Sequence, residues 1–307
     1  MKKIWKYLVN HLKEDFNLKQ YGFVFIFLAV VLYINYKFDF DDRVLRSQLG
    51  FTKFIFYFLF YASAYYFTLF VTYQRRVNFF SNKTFWIKSL IGIAALSLDS
   101  SVPFLRGWIN FFFEPSLQFW AYKVCINLIG IFTVLLPLLI VYWVYDKSKN
   151  HLYGLYPQRF DARPYLQMLL IMLPIMVAAS FHPSFVKQYP MYKITEAHII
   201  LNVPEWVTVM IYEVAYGLDF VTVEFLFRGF LVIGLMEILG RRSVLAMAAT
   251  YCFLHTGKPP GEAISSIFGG YLLGVIAYET KSVWGGVIVH VGIAWMMEII
   301  GFAQKSL

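Results

Sequence analysis

The sequence predicts an all-α protein, a polytopic bundle of about eight or nine transmembrane helices. The mean hydropathy of the 307 residues is +0.60, and 59% of them are hydrophobic. Charged residues make up only 15% of the chain, whereas soluble domains carry about 25%. A water-soluble globular fold is therefore excluded, and the long apolar runs are expected to cross a bilayer.

The individual spans are predicted from apolar stretches, because a helix that crosses the hydrocarbon core needs about 20 mostly apolar residues. Several stretches are shorter than this or adjoin one another, so they outnumber the expected crossings. The candidates are residues 21–36, 54–74, 85–102, 119–145, 165–181, 205–218, 220–239, 243–256, 262–279 and 283–301.

Basic residues are concentrated at the N-terminus and in two connections between predicted spans. Such segments stay in the cytoplasm by the positive-inside rule, and the net charge of +9 suits anionic lipid headgroups. No nucleic-acid-binding motif accompanies the charge, so membrane lipids are expected partners and nucleic acid is not. The basic residues are Lys2, Lys3, Lys6, Lys13 and Lys19, then Arg75, Arg76, Lys83 and Lys88, and finally Lys147, Lys149, Arg159 and Arg163.

Neither cysteine indicates a disulfide or a thiolate metal site. Cys125 and Cys252 both fall within apolar runs and form no spaced motif.

The N-terminus lacks a short basic segment followed by a small-residue cleavage site, so the first apolar run is expected to be a retained span.

The ionisable residues divide the chain into two parts. Residues 1–150 are predicted to form N-terminal spans rich in Phe and Tyr, and residues 165–301 a second domain. A charge at bilayer depth costs roughly 2.5–3.5 kcal/mol on insertion scales, so it is found mainly where it faces a cavity, a partner or a substrate. Chemistry is therefore expected in the second part, whose ionisable residues include Glu213, Asp219, Glu224, Arg228, His255, His290 and Glu298.

Helix geometry places Glu224 and His255 at one depth. The run 205–239 would be about 50 Å long as a single helix, more than a hydrocarbon core of roughly 30 Å, so a break is predicted near Gly217. The chain is expected to turn at Gly240. Because Glu224 lies 16 residues before that glycine and His255 lies 15 after it, an antiparallel hairpin brings the two side chains level.

His255 is expected at the edge of a water-filled cavity, and His290 can reach the same level. Pro259 and Pro260 follow His255 and cannot continue a helix. Irregular backbone near membrane depth is tolerated only where protein or water satisfies it. His290 falls about 8 Å off the level of His255 by helical rise alone, a gap that tilt and side-chain reach can close.

A carboxylate and two imidazoles at one depth can hydrolyse a carbonyl compound. Glu224 with one histidine can polarise water for attack, and the second histidine can donate to the oxyanion. Two alternatives stay open. The same three side chains can hold zinc, although no His-Glu-x-x-His motif occurs. Alternatively, Glu224 and Arg228, spaced i, i+4, only neutralise one another and hold helices together.

Three segments carry a family resemblance. VEFLFRGF, which contains Glu224 and Arg228, resembles a Glu-Glu-x-x-x-Arg motif; YCFLH, ending in His255, looks like an aromatic-x-x-x-His motif; HVGIA, beginning at His290, is similar to a His-x-x-x-Asn motif. These are, in this order, the motifs of the CPBP family, the CAAX proteases and bacteriocin-processing enzymes formerly called the Abi family. The resemblance covers about residues 165–301.

The resemblance implies a multi-spanning intramembrane endopeptidase that needs no metal or other cofactor and acts on hydrophobic or lipidated substrates. It also implies a multi-pass protein of the cell membrane, in bacteria the cytoplasmic membrane. By position in the motifs, Glu224 corresponds to the second glutamate of the family and Arg228 to its arginine. His255 corresponds to the water-activating histidine and His290 to the oxyanion-stabilising one. These four residues are the predicted catalytic site.

Two positions depart from the family pattern. Val223 stands where the first glutamate, usually given the role of base, is expected, and Ala294 stands where the asparagine is expected. Either Glu224, alone or with Glu213 or Asp219, supplies the base, or the fold is kept without proteolysis in a membrane scaffold or bacteriocin-immunity protein. A transporter is a third hypothesis, although only one half of the chain carries an ionisable cluster.

Overall fold

The computed structural model describes residues 2–73, 78–148, 151–157 and 160–306. These residues are mostly helical, and no strand occurs among them. The prediction of an all-α fold is confirmed. Part of the basic clusters, namely Arg75, Arg76, Lys149 and Arg159, lies outside the described residues.

The helices that build the bundle are numbered here in chain order. They are α1, Lys2–Asp15; α2, Leu18–Phe38; α3, Gly50–Val71; α4, Lys83–Ser101; α5, Leu105–Phe112; α6, Pro115–Asp146; α7, Arg163–Ala179; α8, Glu205–Glu224; α9, Arg242–Leu254; α10, Pro260–Thr280; and α11, Trp284–Ser306. Shorter helical turns are Phe79–Ser81, Leu152–Gly154, Pro183–Gln188, Ala197–Ile200 and Met236–Leu239. Wider π-helical segments occur at Asp41–Arg46, within α6, and at Phe225–Ile233, where the segment continues α8 directly.

The chain is a multi-pass membrane protein, and the predicted count of eight or nine spans is approximate. Within the described residues, α2, α3, α6, α10 and α11 are long and apolar enough to cross a bilayer. The pair of α4 and α5, bent by 44°, makes a sixth if it is counted as one span. Two shorter apolar helices, α7 and α9, account for further predicted stretches. The sequence pattern therefore counted short and bent helices as full crossings.

The predicted break near Gly217 is wrong. Helix α8 runs without interruption to Glu224, and the chain then widens into the π-helical segment Phe225–Ile233. Gly217 serves packing instead: a Cβ atom there would lie 3.0 Å from the Trp295 ring of α11. Small residues allow such close helix approach in membranes.

The hairpin that carries the candidate site turns where the sequence predicts. Gly240 has a φ of +60°, a conformation that glycine adopts without a steric penalty. Helix α9 follows and ends at Leu254, immediately before His255. On α10, Gly270 packs against α9, because a Cβ atom there would lie 2.9 Å from the Tyr251 ring.

A buried charged cluster connects the first half of the chain to the π-helical segment. The Lys88 ammonium pairs with the Asp146 carboxylate and donates a hydrogen bond of 3.1 Å to the Gly234 carbonyl. The Tyr153 hydroxyl donates to the same carboxylate at 2.5 Å. The Tyr153 ring packs edge-on against Phe230. The cluster thus holds the end of this segment from α4, α6 and the connection between the two halves.

Helix α1 is fastened to the bundle by Arg241, which lies in the turn before α9. The guanidinium forms ion pairs of 2.7 Å with Glu14 of α1 and 2.6 Å with Glu279 of α10. It also lies 3.1 Å from Nδ1 of His11, a fully buried side chain. Burial, and to a lesser extent the charge of Arg241, lowers the pKa of His11 to about 4. A protonated His11 would therefore oppose the docking of α1.

Loss of the Lys88 charge should destabilise the fold. We expect Lys88→Met to lower the free energy of unfolding by about 3–5 kcal/mol, because it leaves the Asp146 carboxylate buried without its cation. The double variant Lys88→Met/Asp146→Asn should recover much of this loss, since no buried charge remains and Tyr153 keeps an acceptor. Thermal unfolding in detergent measures both. Equal stability of the single variant and the parent protein would contradict a buried ion pair.

Acidification should release α1. The pKa of His11 is depressed in the docked state, so the contribution of this residue is fully present above its ordinary value of 6.5 and falls as the pH drops towards about 4. Hydrogen exchange of the α1 amides, corrected for intrinsic rates, should show weaker protection at about pH 5 than at about pH 7.5.

His11→Gln is the matched control for this pH effect. Burial raises the pKa of Asp15, so protonation of this carboxyl favours the docked state of α1 as the pH falls, which is opposite to the effect of His11. Asp15 is present in both proteins. The difference between the two pH profiles therefore isolates His11. An unchanged pH dependence in His11→Gln would show that another group is responsible.

Candidate active site

Glu224 and Arg228 form an ion pair in the interior of the bundle. Glu224 ends α8, and Arg228 lies one turn later in the π-helical segment. The Nη1 atom of Arg228 is 2.9 Å from the Oε1 atom of Glu224. Both side chains are fully buried. Although the distance is that of an ion pair, no guanidinium nitrogen has an aligned hydrogen-bond acceptor among the described residues. The guanidinium lies over the Tyr251 ring, 4.4 Å from its centre, and retains N–H groups available for another acceptor.

The Glu224 carboxylate is enclosed by α11. Its Oε1 atom contacts Arg228 and also accepts a hydrogen bond of 2.8 Å from Nδ1 of His290. Its Oε2 atom has no hydrogen-bond partner among the described residues. Gly286 lies against this oxygen so closely that a Cβ atom at that position would overlap it. Glycine at 286 is therefore what lets α11 approach the carboxylate.

His290 connects Glu224 to Tyr251. Because a carboxylate only accepts hydrogen bonds, Nδ1 of His290 carries the proton that is shared with Glu224. Nε2 lies 2.7 Å from the Tyr251 hydroxyl, which donates to it when the imidazole is neutral. The result is a continuous chain of hydrogen bonds from the Glu224 carboxylate through the His290 imidazole to the Tyr251 hydroxyl.

His255 has a defined tautomer. Its Nδ1 atom lies 2.9 Å from the Tyr251 carbonyl, which can only accept, so Nδ1 carries the proton. In the neutral imidazole, Nε2 is then an acceptor with a free lone pair. The ring centre lies 4.4 Å from that of Tyr251. His255 is thus arranged as a base towards any group that faces Nε2.

These side chains meet at a cavity of about 310 Å³ in the second half of the chain. Arg228, Tyr251, His255 and His290 line it, whereas Glu224 lies behind the wall. Much of the remaining lining is apolar, including a row of methionines on α7 and one on α11. They are Met168, Met172, Met176 and Met297.

The four predicted site residues lie around this cavity, with one change in their pairing. Depth along the helices predicts that Glu224 and His255 face one another, but the histidine that binds Glu224 is His290. Tilt and side-chain reach close the gap of about 8 Å expected from helical rise. Tyr251 was missed as a site residue, although it supplies the aromatic position of the second motif, four residues before His255.

The other carboxylates of α8 lie elsewhere. Neither Glu213 nor Asp219 lines the cavity. Both oxygens of Glu213 are buried without a hydrogen-bond donor among the described residues, and Glu298 of α11 is within reach. Glu298 accepts hydrogen bonds of 2.7 and 3.2 Å from the backbone of Met191 and Tyr192. Glu298 therefore anchors the connection between α7 and α8.

No metal-ligand cluster accompanies the cavity in the described part of the chain. A group of three or more His, Cys, Asp or Glu side chains able to hold a metal ion was not found among the residues 2–73, 78–148, 151–157 and 160–306. Glu224 and His290 contact one another directly through a hydrogen bond. The zinc hypothesis thus gains no ligand set from these residues.

Comparison with known families adds an independent observation. Residues 204–296 match the family model described as Rce1-like, type II CAAX prenyl endopeptidase Rce1-like. This part of the chain is Rce1-like. The Rce1-like segment is under a third of the chain and contains Glu224, Arg228, His255 and His290. The predicted resemblance to the CPBP family is confirmed for this segment. No curated protein and no solved structure matches the chain.

Arg228→Ala should harm the fold of the Rce1-like segment. We expect a loss of about 3–5 kcal/mol in the free energy of unfolding, because Glu224 would stay buried without its cation. Glu224→Gln/Arg228→Met, which removes both charges, should be more stable than Arg228→Ala. Thermal unfolding in detergent compares the variants. A parent-like unfolding temperature for Arg228→Ala would mean that the pair does not contribute to stability.

Proposed function

We propose that this chain is a membrane-embedded, glutamic-type endopeptidase that hydrolyses peptide bonds of hydrophobic or membrane-associated substrates. One observation carries the proposal: His255 with a free Nε2 and Arg228 with N–H groups that have no aligned acceptor line a single cavity. The cavity lies inside an Rce1-like segment. A base and an oxyanion donor are thus available at one site.

The first step is the attack of water on the peptide carbonyl. His255 takes the water proton at Nε2, while the water oxygen bonds to the carbonyl carbon and the carbonyl electron pair moves to its oxygen. Since Nδ1 of His255 is fixed on the Tyr251 carbonyl, the resulting imidazolium keeps its orientation. Collapse of the intermediate breaks the C–N bond, and the proton on His255 passes to the leaving amine.

The developing oxyanion needs hydrogen-bond donors already in place. Arg228 offers N–H groups without an aligned acceptor, and His290 and Tyr251 line the same cavity. Low dielectric in the buried site strengthens each of these contacts. The guanidinium is therefore proposed to stabilise the oxyanion, whereas His290, whose two nitrogens are engaged by Glu224 and Tyr251, is proposed to hold this donor in place.

Glu224 is proposed to act through its neighbours. Its Oε1 atom binds both Arg228 and His290, so the carboxylate sets the orientation of two groups that face the substrate. It also balances the charge of the guanidinium. In this role a glutamate behind the cavity wall contributes to the site although the cavity-facing atoms belong to other residues.

The substrate class is proposed from the cavity walls and the position of the site. Methionine side chains are flexible and polarisable, so they accommodate varied apolar groups. A wall that contains Met168, Met172 and Met176 suits a hydrophobic or lipidated peptide. The protein is proposed to act in the cytoplasmic membrane of a bacterium, without a metal cofactor.

A second candidate function is a catalytically inactive scaffold or immunity protein. Val223 and Ala294 favour it, because they replace the glutamate and the asparagine of the motifs. Val223 packs against the apolar core, and Ala294, which is 1% exposed, lies in the cavity wall. Neither can supply a polar group to a substrate. Activity of the parent protein decides between the two functions.

Cleavage of a hydrophobic peptide by the purified protein in lipid should depend on the histidines. We expect His255→Ala to lower kcat by about 10²–10⁴-fold through loss of the base. His290→Ala should lower it by about 10²–10³-fold, because Glu224 and the Arg228 oxyanion donor lose the side chain that holds them in place. Glu224→Gln should lower it as well, whereas Glu213→Gln, a matched carboxylate on α8 outside the cavity, should leave kcat within about twofold.

The controls for this experiment distinguish the proposed mechanism from one with a different carboxylate, from a metal-dependent one and from an inactive protein. Each variant must stay folded at the assay temperature, so that lost activity reports on chemistry; Glu224→Gln is expected to unfold at a lower temperature than the parent because it leaves Arg228 without its anion. Full activity of Glu224→Gln with an inactive Glu213→Gln would show that the wrong carboxylate is assigned. Loss of activity with a chelator, restored by zinc, would replace the proposed mechanism by a metal-dependent one. Failure of the parent protein on all substrates would favour the inactive scaffold.

A further inference from the structure

A second polar cavity lies beside the loop that follows His255. Its volume is about 290 Å³, and it is separate from the candidate active site, with which it shares no lining residue. Thr256 and Gly257 form one wall. The other walls come from α3, α4 and the π-helical segment Asp41–Arg46. This cavity is called the loop cavity below.

The loop cavity lies at one face of the membrane. The candidate span α2 ends at Phe38, and the candidate span α3 begins at Gly50, so Asp41–Arg46 connects two spans at that face. Lys53 is in the first turn of α3, and Ser100 is near the end of α4. Lipid headgroups occupy the outer several ångströms of a bilayer roughly 40–45 Å thick. The loop cavity is therefore at the level of lipid phosphates.

Lys53 is the cation of the loop cavity that is free for a ligand. Arg46 is already paired, at 2.7 Å with Asp41 and at 3.2 Å with the exposed Asp42. By contrast, the Lys53 ammonium has no hydrogen bond or ion pair within the part of the chain that the structure describes. Asp41 also lines the cavity and attracts Lys53, but its carboxylate is bound by Arg46, so the two cations and one carboxylate of the lining leave a net positive charge that attracts an anion.

Hydroxyl groups supply further donors. Tyr57, Tyr61 and Ser100 line the loop cavity, and the last two share a hydrogen bond of 2.8 Å. Either of these two hydroxyls can donate outwards while accepting from the other. One ammonium and several hydroxyls converging on one space match the several acceptor oxygens of a phosphate group.

We infer that the loop cavity binds a phosphate group, presented by the headgroup of an anionic phospholipid. Lys53 supplies the charge, and Tyr57, Tyr61 and Ser100 supply hydrogen bonds. The same chemistry would accept free inorganic phosphate, but the position of the cavity at headgroup level favours the lipid. A zwitterionic lipid brings its own ammonium and is expected to bind less tightly.

Binding at this cavity would fix the loop that carries His255. The loop is already held by Asn35, which donates to the Thr256 carbonyl at 2.8 Å, and by Tyr36, which donates to the Lys258 carbonyl at 2.8 Å. A phosphate in the loop cavity would hold the opposite side, at Thr256 and Gly257. Its effect on hydrolysis rests on the proposed function, whereas the binding itself does not.

The test measures binding and not cleavage. The full chain in detergent is titrated with phosphatidylglycerol, phosphatidylcholine or inorganic phosphate, and native mass spectrometry and thermal unfolding report bound ligand. We expect phosphatidylglycerol to bind and to raise the unfolding temperature more than phosphatidylcholine does. Lys53→Gln should weaken the apparent affinity for phosphatidylglycerol by about fivefold. Lys53→Arg, which keeps the charge, should retain most of the affinity.

Lys187→Gln is the matched control, because Lys187 is an exposed lysine of the connection between α7 and α8, outside the loop cavity. It should change the affinity by less than about twofold. If inorganic phosphate alone gives the full effect, and Lys53→Gln abolishes it, the site stands with the free ion as its ligand. Equal binding of both lipids, or equal losses in Lys53→Gln and Lys187→Gln, would overturn the inference.

Discussion

The burial of one ion pair constrains the second half of this protein. Glu224 and Arg228 have almost no exposed surface, and an uncompensated charge at this depth would be costly. The surrounding helices are arranged around the pair: Gly286 lets α11 reach the carboxylate, and Tyr251 places its ring beneath the guanidinium. His290 completes the enclosure by binding the same carboxylate oxygen as Arg228.

Much of the first half works as a support for this pair. The Lys88 cluster holds the end of the π-helical segment through the Gly234 carbonyl, and α2 holds the loop after His255 through Asn35. A site whose members come from separate helices needs such external restraint, because their relative positions depend on packing. The two halves are therefore joined by hydrogen bonds at both ends of the site as well as by apolar contact.

The two departures from the family motifs have a consistent physical meaning. Val223 joins the apolar core, and Ala294 leaves space in the cavity wall. The polar groups that remain form one connected arrangement, from Glu224 through His290 to Tyr251. This hydrogen-bonded arrangement includes neither of the two substituted positions, and Arg228 balances the charge of its carboxylate.

The sequence by itself determined the all-α membrane fold, because the cost of placing residues in a bilayer depends mainly on composition. It also determined the turn at Gly240 and the irregular stretch after His255, since glycine and proline act locally, and the order of the motifs indicated the resemblance to the CPBP family. Tertiary structure decided the pairing of Glu224 with His290, because depth along ideal helices ignores tilt and rotation. It likewise decided that α8 continues through Gly217, where the glycine admits the ring of a residue distant in sequence.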